Sequence, residues 1–104
     1  FSLSDPLALS LMERYNVSRG FFGAYGLSLQ VGLTDVTVTE AAVKQPIVGM
    51  CRQVVVVLDG SKWGREGAAS YAALENVDVI ITDTGAPHDM VNAVKEMGIT
   101  VTLV

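Results

Sequence analysis

Two hydrophobic rhythms divide the chain. Residues 54–58 and 79–82 are almost uninterrupted apolar runs, which fits strands covered on both faces better than the apolar/polar alternation of a half-wet sheet. Residues 20–23 and 99–104, rich in aromatic or β-branched side chains, are expected to be strands as well. Between these runs the apolar spacing lengthens to that of a helix. Ser4 is placed to cap a first helix, with Asp5 and Pro6 in its opening turn and Leu7, Leu11 and Met12 on one face, ending before Asn16. Thr37-Val38-Thr39-Glu40 has the spacing of a capping box. It opens a second helix through Ala41, Val43, Ile47, Val48 and Met50 to Arg52, which Pro46 is expected to kink or break near Gln45. A short helix is expected at 68–74 and a last one at about 88–97, after Pro87 and stopped by Gly98, where a left-handed C-cap is favoured.

The order αβαβαβαβ predicts an α/β fold with a right-handed parallel sheet, a Rossmann-like layer, with residues 1–104 holding one domain at most and expected to be an incomplete one. No internal repeat, low-complexity stretch or linker interrupts it. Four strands are few, since a complete doubly wound sheet usually has five or six, so an apolar edge is expected to await neighbouring strands. The chain also opens on Phe1 rather than Met, and is expected to be a piece of something longer.

In such sheets ligands gather beyond the carboxyl ends of the strands, where loops and helix N-termini converge. The first strand is followed by Gly23-Ala24-Tyr25-Gly26-Leu27-Ser28 and then Gly32-Leu33-Thr34. The second is followed by Asp59-Gly60-Ser61-Lys62-Trp63-Gly64-Arg65, and the third by Thr82-Asp83-Thr84-Gly85-Ala86-Pro87. Glycines let backbone amides approach a ligand, while Ser61, Lys62 and Arg65 supply the donors and charge that suit a phosphate. Asp59 shares that loop and could address sugar hydroxyls, whereas Asp83 reads better as an acceptor for loop amides. Trp63 could stack on a ligand or lid the loop against the sheet. Lys44 follows Glu40 at the i,i+4 spacing of an exposed helical ion pair. His88 reads as a surface residue with no paired nucleophile, and Cys51 as a small buried side chain. Neither G-x-x-x-x-G-K-[ST] nor G-x-G-x-x-G is present, which disfavours nucleotide binding.

Composition narrows the choice. Seven Lys plus Arg stand against eleven Asp plus Glu in 104 residues, and half the residues are apolar. That balance opposes both disorder and a nucleic-acid surface. A single Cys can make no internal disulfide, and it has no second thiol for a metal cluster, which fits a cytoplasmic protein with neither metal nor cofactor. No apolar run reaches the roughly 18 residues of a membrane span.

Phe22-Gly23-Ala24-Tyr25-Gly26, Gly32-Leu33-Thr34, the stretch from Glu40 to Lys44, the apolar strand leading into Asp59-Gly60-Ser61-Lys62-Trp63-Gly64, and Ile80-Ile81-Thr82-Asp83 occur in the order seen in the C-terminal sensor domain of DeoR-family transcriptional regulators. The chain resembles that domain over nearly its whole length. The resemblance implies a fold shared with ribose-5-phosphate isomerases, glucosamine-phosphate deaminases and CoA transferases. It also implies a role: binding a phosphorylated sugar or related metabolite and relaying that state, in a homo-oligomer, to an N-terminal helix-turn-helix. DNA contact would belong to that helix-turn-helix, which is absent here along with the first part of the sensor domain. Carried over by residue, Asp59, Ser61 and Lys62 resemble the D-x-S-K loop at the pocket, and Gly23, Ala24 and Gly26 the turn facing it, with Arg65 or Lys44 assisting at the anion. The alternative is a sugar-phosphate isomerase or deaminase fragment. Those enzymes place a base Glu some fifteen residues before the D-x-S-K aspartate, a spacing that lands on Lys44, unless a slip in the loop lets Glu40 recover the role of base.

Overall fold

In the computed structural model, residues 17–104 are described, so the helix expected between Ser4 and Asn16 lies outside the described residues. Strands β1 (Val17–Phe22), β4 (Cys51–Val57), β6 (Val79–Thr82) and β7 (Thr100–Leu103) form a four-stranded sheet in the order β1-β4-β6-β7, and each adjacent pair is parallel. This is the α/β layer that the unbroken apolar runs predict. Val54, Val55 and Val56 are all buried, which places side chains of both pleat directions out of water.

Helix α1 (Val38–Met50) leads into β4. The Thr37 hydroxyl accepts from the Glu40 amide at 3.1 Å, satisfying one of the amide donors left open at a helix start. The expected break at Gln45 does not occur. Pro46 removes an amide and leaves the Ala42 carbonyl without its helical donor, but both residues are exposed, so water satisfies that carbonyl and the helix runs on to Met50. Helix α2 (His88–Glu96) connects β6 to β7, burying Val91 and Val94. Gly98 follows it at φ +92°, the left-handed conformation that a side chain would resist.

The loops expected after β1 hold a second sheet. Strands β2 (Gly26–Ser28), β3 (Gly32–Asp35) and β5 (Ala69–Ala72) pair antiparallel in the order β2-β3-β5. Here the expected helix at 68–74 is corrected: the segment is strand β5 followed by a 3-10 turn at Leu74–Asn76. Its alanines favour a helix locally, but β3 offers an open edge to pair with. Ser70 donates its hydroxyl to the Val31 carbonyl at 2.7 Å, and Tyr71 and Ala72 are buried. Tertiary pairing overrides a weak local preference. The β2–β3 turn needs Gly32, whose φ is +80° and whose missing Cβ leaves room for the Ala72 carbonyl.

The two sheets are joined at the loop after β4 and at the end of β1, where Phe22 packs 6.2 Å from Tyr71 of β5. Leu27 forms an isolated parallel bridge with Trp63, and the Gly64 amide donates to the Leu27 carbonyl at 2.7 Å. Leu27, Leu33, Trp63, Tyr71 and Ile80 are buried in one continuous core. The antiparallel sheet is thereby held beside the carboxyl ends of β1, β4 and β6.

Candidate functional site

The loop after β4 is built around its own aspartate. The Asp59 carboxylate accepts from the Ser61 amide at 2.9 Å and from the Ser61 hydroxyl, closing a 3-10 turn over Gly60–Lys62. Those bonds, the hydroxyl's first, together with the charges of Lys62 and Arg65, hold the Asp59 carboxyl below its ordinary range. Asp59 and Ser61 are exposed and Lys62 is half-buried.

The loop after β6 braces this turn from the side. The Asp83 carboxylate accepts from the Gly60 amide at 3.1 Å and from the Gly85 amide at 2.8 Å, the loop-amide role expected of it. Trp63 resolves as a lid on the sheet. It is buried, and its indole donates to the Thr82 hydroxyl at 3.1 Å, so its ring face is not available for stacking on a ligand.

Opposite lies the turn after β1. Gly23 is exposed, and a Cβ there would meet nothing nearer than the Val57 carbonyl at 4.0 Å, so the space beside the turn is open. Gly26 serves packing instead: a Cβ there would collide with the Arg65 carbonyl, which seats the β4 loop against β2. The Arg65 guanidinium lies 4.2 Å over the Tyr25 ring. Arg65, as a donor toward the phenol oxygen and as a charge, lowers the Tyr25 phenol from its ordinary value, and Lys62 adds to the shift. Arg65 therefore lies against both Tyr25 and Gly26, and Arg65 and Lys62 both act electrostatically on Asp59 and Tyr25.

Lys44 occupies a different place from the surface pair that its spacing with Glu40 suggested. Its ammonium lies 3.0 Å from the Asp35 carboxylate and 3.0 Å from the Gly23 carbonyl, and 4.7 Å from the centre of the Tyr71 ring. The Tyr71 hydroxyl donates to the same carbonyl at 2.8 Å. Burial, reinforced by the Asp35 charge, pushes the Tyr71 phenol well above its ordinary range, so it is a neutral donor. Asp35 is buried, and its second oxygen has no partner among the described residues. Sequence reasoning missed Asp35, Tyr71 and Tyr25. An acid at the end of a four-residue strand and a tyrosine in an alanine-rich segment carry no spacing signal, and only the pairing of β3 with β5 brings them to Gly23.

Chemically, the candidate site offers two cations, Lys62 and Arg65, the Asp59 carboxylate, which Ser61 engages through one oxygen, and loop backbone. No group of three or more His, Cys, Asp or Glu capable of holding a metal occurs among the described residues, and no helix among them is long and apolar enough to cross a membrane.

The family model of the DeoR C-terminal sensor domain matches residues 1–84. The HTH-type transcriptional regulator GlpR of Haloferax volcanii is 37% identical over 100 residues, 96% of this chain and 39% of that protein. A putative sgc region transcriptional regulator of Escherichia coli is 32% identical over 98 residues, 94% of this chain and 38% of that protein. The uncharacterised HTH-type regulator YulB of Bacillus subtilis is 30% identical over 103 residues, 99% of this chain and 40% of that protein. The chain thus spans about two fifths of the length of these relatives. They are transcriptional regulators, and the isomerase or deaminase alternative is set aside.

Proposed function

Because the chain belongs to the DeoR C-terminal sensor domain family, we propose that it forms the later part of the effector-sensing domain of a cytoplasmic transcriptional regulator, and that its effector is a phosphorylated sugar or a closely related anionic metabolite. Residues outside this chain supply a DNA-binding helix-turn-helix and the rest of the pocket, and the assembled regulator is a homo-oligomer. Lys62 takes the phosphate with Arg65 beside it, Asp59 addresses the sugar, and the backbone at Gly23 and Ala24 borders the ligand, while Gly26, grouped with them by the resemblance, packs under the Arg65 carbonyl. Lys44 acts from behind the turn, through its bonds to the Gly23 carbonyl and Asp35. Binding regulates DNA affinity only to the extent that the effector prefers one state of the oligomer over the other.

The observation that carries this reading is the placement of Lys62. Lys62 sits on the 3-10 turn closed by Asp59, its charge acts on both the Asp59 carboxyl and the Tyr25 phenol, and Gly23, two residues before Tyr25, is exposed. Against a net charge of −4, this pairing with Arg65 is a local concentration of positive charge. A thermal-shift measurement on the full-length regulator tests it. Ribose 5-phosphate and related sugar phosphates should raise the melting temperature, and Lys62→Ala should remove the response. An unchanged response in that variant overturns the assignment.

A further inference from the structure

The Gly23 carbonyl receives two donors at once, the Lys44 ammonium at 3.0 Å and the Tyr71 hydroxyl at 2.8 Å. A carbonyl oxygen has two lone pairs, so both are used and the 23–24 peptide plane cannot rotate without losing both bonds. Described peptide bonds are all trans, so the Ala24 N–H points to the side opposite that carbonyl. The neighbouring Tyr25 amide is spent on the Thr34 carbonyl at 2.9 Å. The Ala24 amide has no acceptor among the described residues, and the turn it sits in borders open space at Gly23.

Lys44 is poorly suited to bind a phosphate itself. Its charge is already matched by Asp35 at 3.0 Å, and Asp35 is 3% exposed with one oxygen unpartnered. A buried carboxylate in that state depends on its single cation, and withdrawing Lys44 toward a ligand would strand it. The ammonium is therefore held in place, and what it holds in turn is the Gly23 carbonyl.

We propose that Lys44 and Tyr71, braced by Asp35, are positioning residues: acting through the Gly23 carbonyl, they aim the Ala24 amide at the anionic group of the effector. This rests on the reading of the site as a sensor for a phosphorylated ligand and adds a backbone donor to it. An amide fixed before the ligand arrives costs no ordering when it binds, and a hydrogen bond from it to a phosphate oxygen is charge-assisted.

The test uses the full-length protein labelled with 15N-alanine and titrated with ribose 5-phosphate or with inorganic phosphate. The Ala24 amide resonance should move with either probe. Tyr71→Phe keeps the ring and deletes one donor. Lys44→Met combined with Asp35→Asn deletes the other without leaving a buried charge alone. Each should displace the Ala24 resonance before any ligand is added and weaken ribose 5-phosphate binding by about tenfold, the scale of one such bond. Lys44→Arg should recover part of the loss. Should the double variant not fold, Tyr71→Phe alone decides. Lys62→Ala should abolish binding yet leave the ligand-free Ala24 resonance where it was. If ribose 5-phosphate raises the melting temperature while the Ala24 resonance stays fixed, or if both positioning variants bind as the parent does, the inference is wrong and the sensor reading stands. If neither probe changes the melting temperature or any resonance, both fall together.

Discussion

Gly60 is the point where the loops after β4 and β6 touch, and replacing it with alanine measures how tightly they are joined. A Cβ there would stand 2.5 Å from the Ala86 amide nitrogen and 2.7 Å from the Asp83 carboxylate, and closer still to the Gly85 carbonyl carbon. Unstrained carbon contacts need about 3.5 Å or more, so the loops must part by roughly 1 Å. Two of the obstructing groups are backbone and cannot swing aside as a long side chain would. The movement also stretches the bond from the Gly60 amide to Asp83, now 3.1 Å. Overpacking of this kind costs typically 1–3 kcal/mol, and about 2 kcal/mol lowers the melting temperature of a domain this size by roughly 8–16 °C. Gly49→Ala is the internal control. Gly49 lies in α1 with nothing within 4 Å of the added carbon, so the substitution gains helix propensity and should stabilise by up to about 1 kcal/mol. Thermal denaturation of the two variants beside the parent gives the answer. Equal melting temperatures for Gly60→Ala and the parent would refute the claim that these loops are in rigid contact.

Two titrations probe the electrostatics of the same loops. Arg65→Ala should raise the Tyr25 phenol back toward 10.0, seen as a shift of tyrosinate absorbance to higher pH, and an unmoved titration would mean that the guanidinium does not sit on that ring. Asp59 is held below 3.8, chiefly by the Ser61 hydroxyl, so its contribution to loop order is complete above that value and fades as the pH falls through the lowered one. Ser61→Ala should bring the Asp59 carboxyl back up toward 3.8 in a carboxyl-carbon NMR titration, and loop order should then be lost at a correspondingly higher pH.

The parallel sheet was legible because burial on both faces writes itself into consecutive residues: Val54, Val55 and Val56 cannot belong to a half-wet strand. Helix α2 was legible from Pro87 and Gly98, whose backbone restrictions act locally. Strands β2, β3 and β5 were not. They have three or four residues each, too few to show a period, and their hydrogen bonds run to partners that only the folded chain supplies. The same limit divided the candidate site. Asp59, Ser61 and Lys62 interact within one turn, and their spacing announces it. The environment of Lys44 is set by Asp35, Gly23 and Tyr71, the last two lying 21 positions before it and, from Gly23, 48 positions on. The nearer acid on its own helix, Glu40, is the partner that sequence spacing suggests, because i,i+4 pairs are local.

The order β1-β4-β6-β7 also has a consequence during synthesis. Among the described residues β1 pairs with β4 alone, and the Arg19 to Gln53 contact within that pair spans 34 positions. At the ~5–20 residues per second of translation, β1 waits roughly 2–7 s on the ribosome before β4 exists, and closing so long a loop is slow in its own right. Throughout that interval Phe21 and Phe22 stand in an unpaired segment with a strong tendency to associate. A nascent chain stalled before residue 51 therefore presents β1 without its β4 partner, a form that a chaperone would be expected to bind.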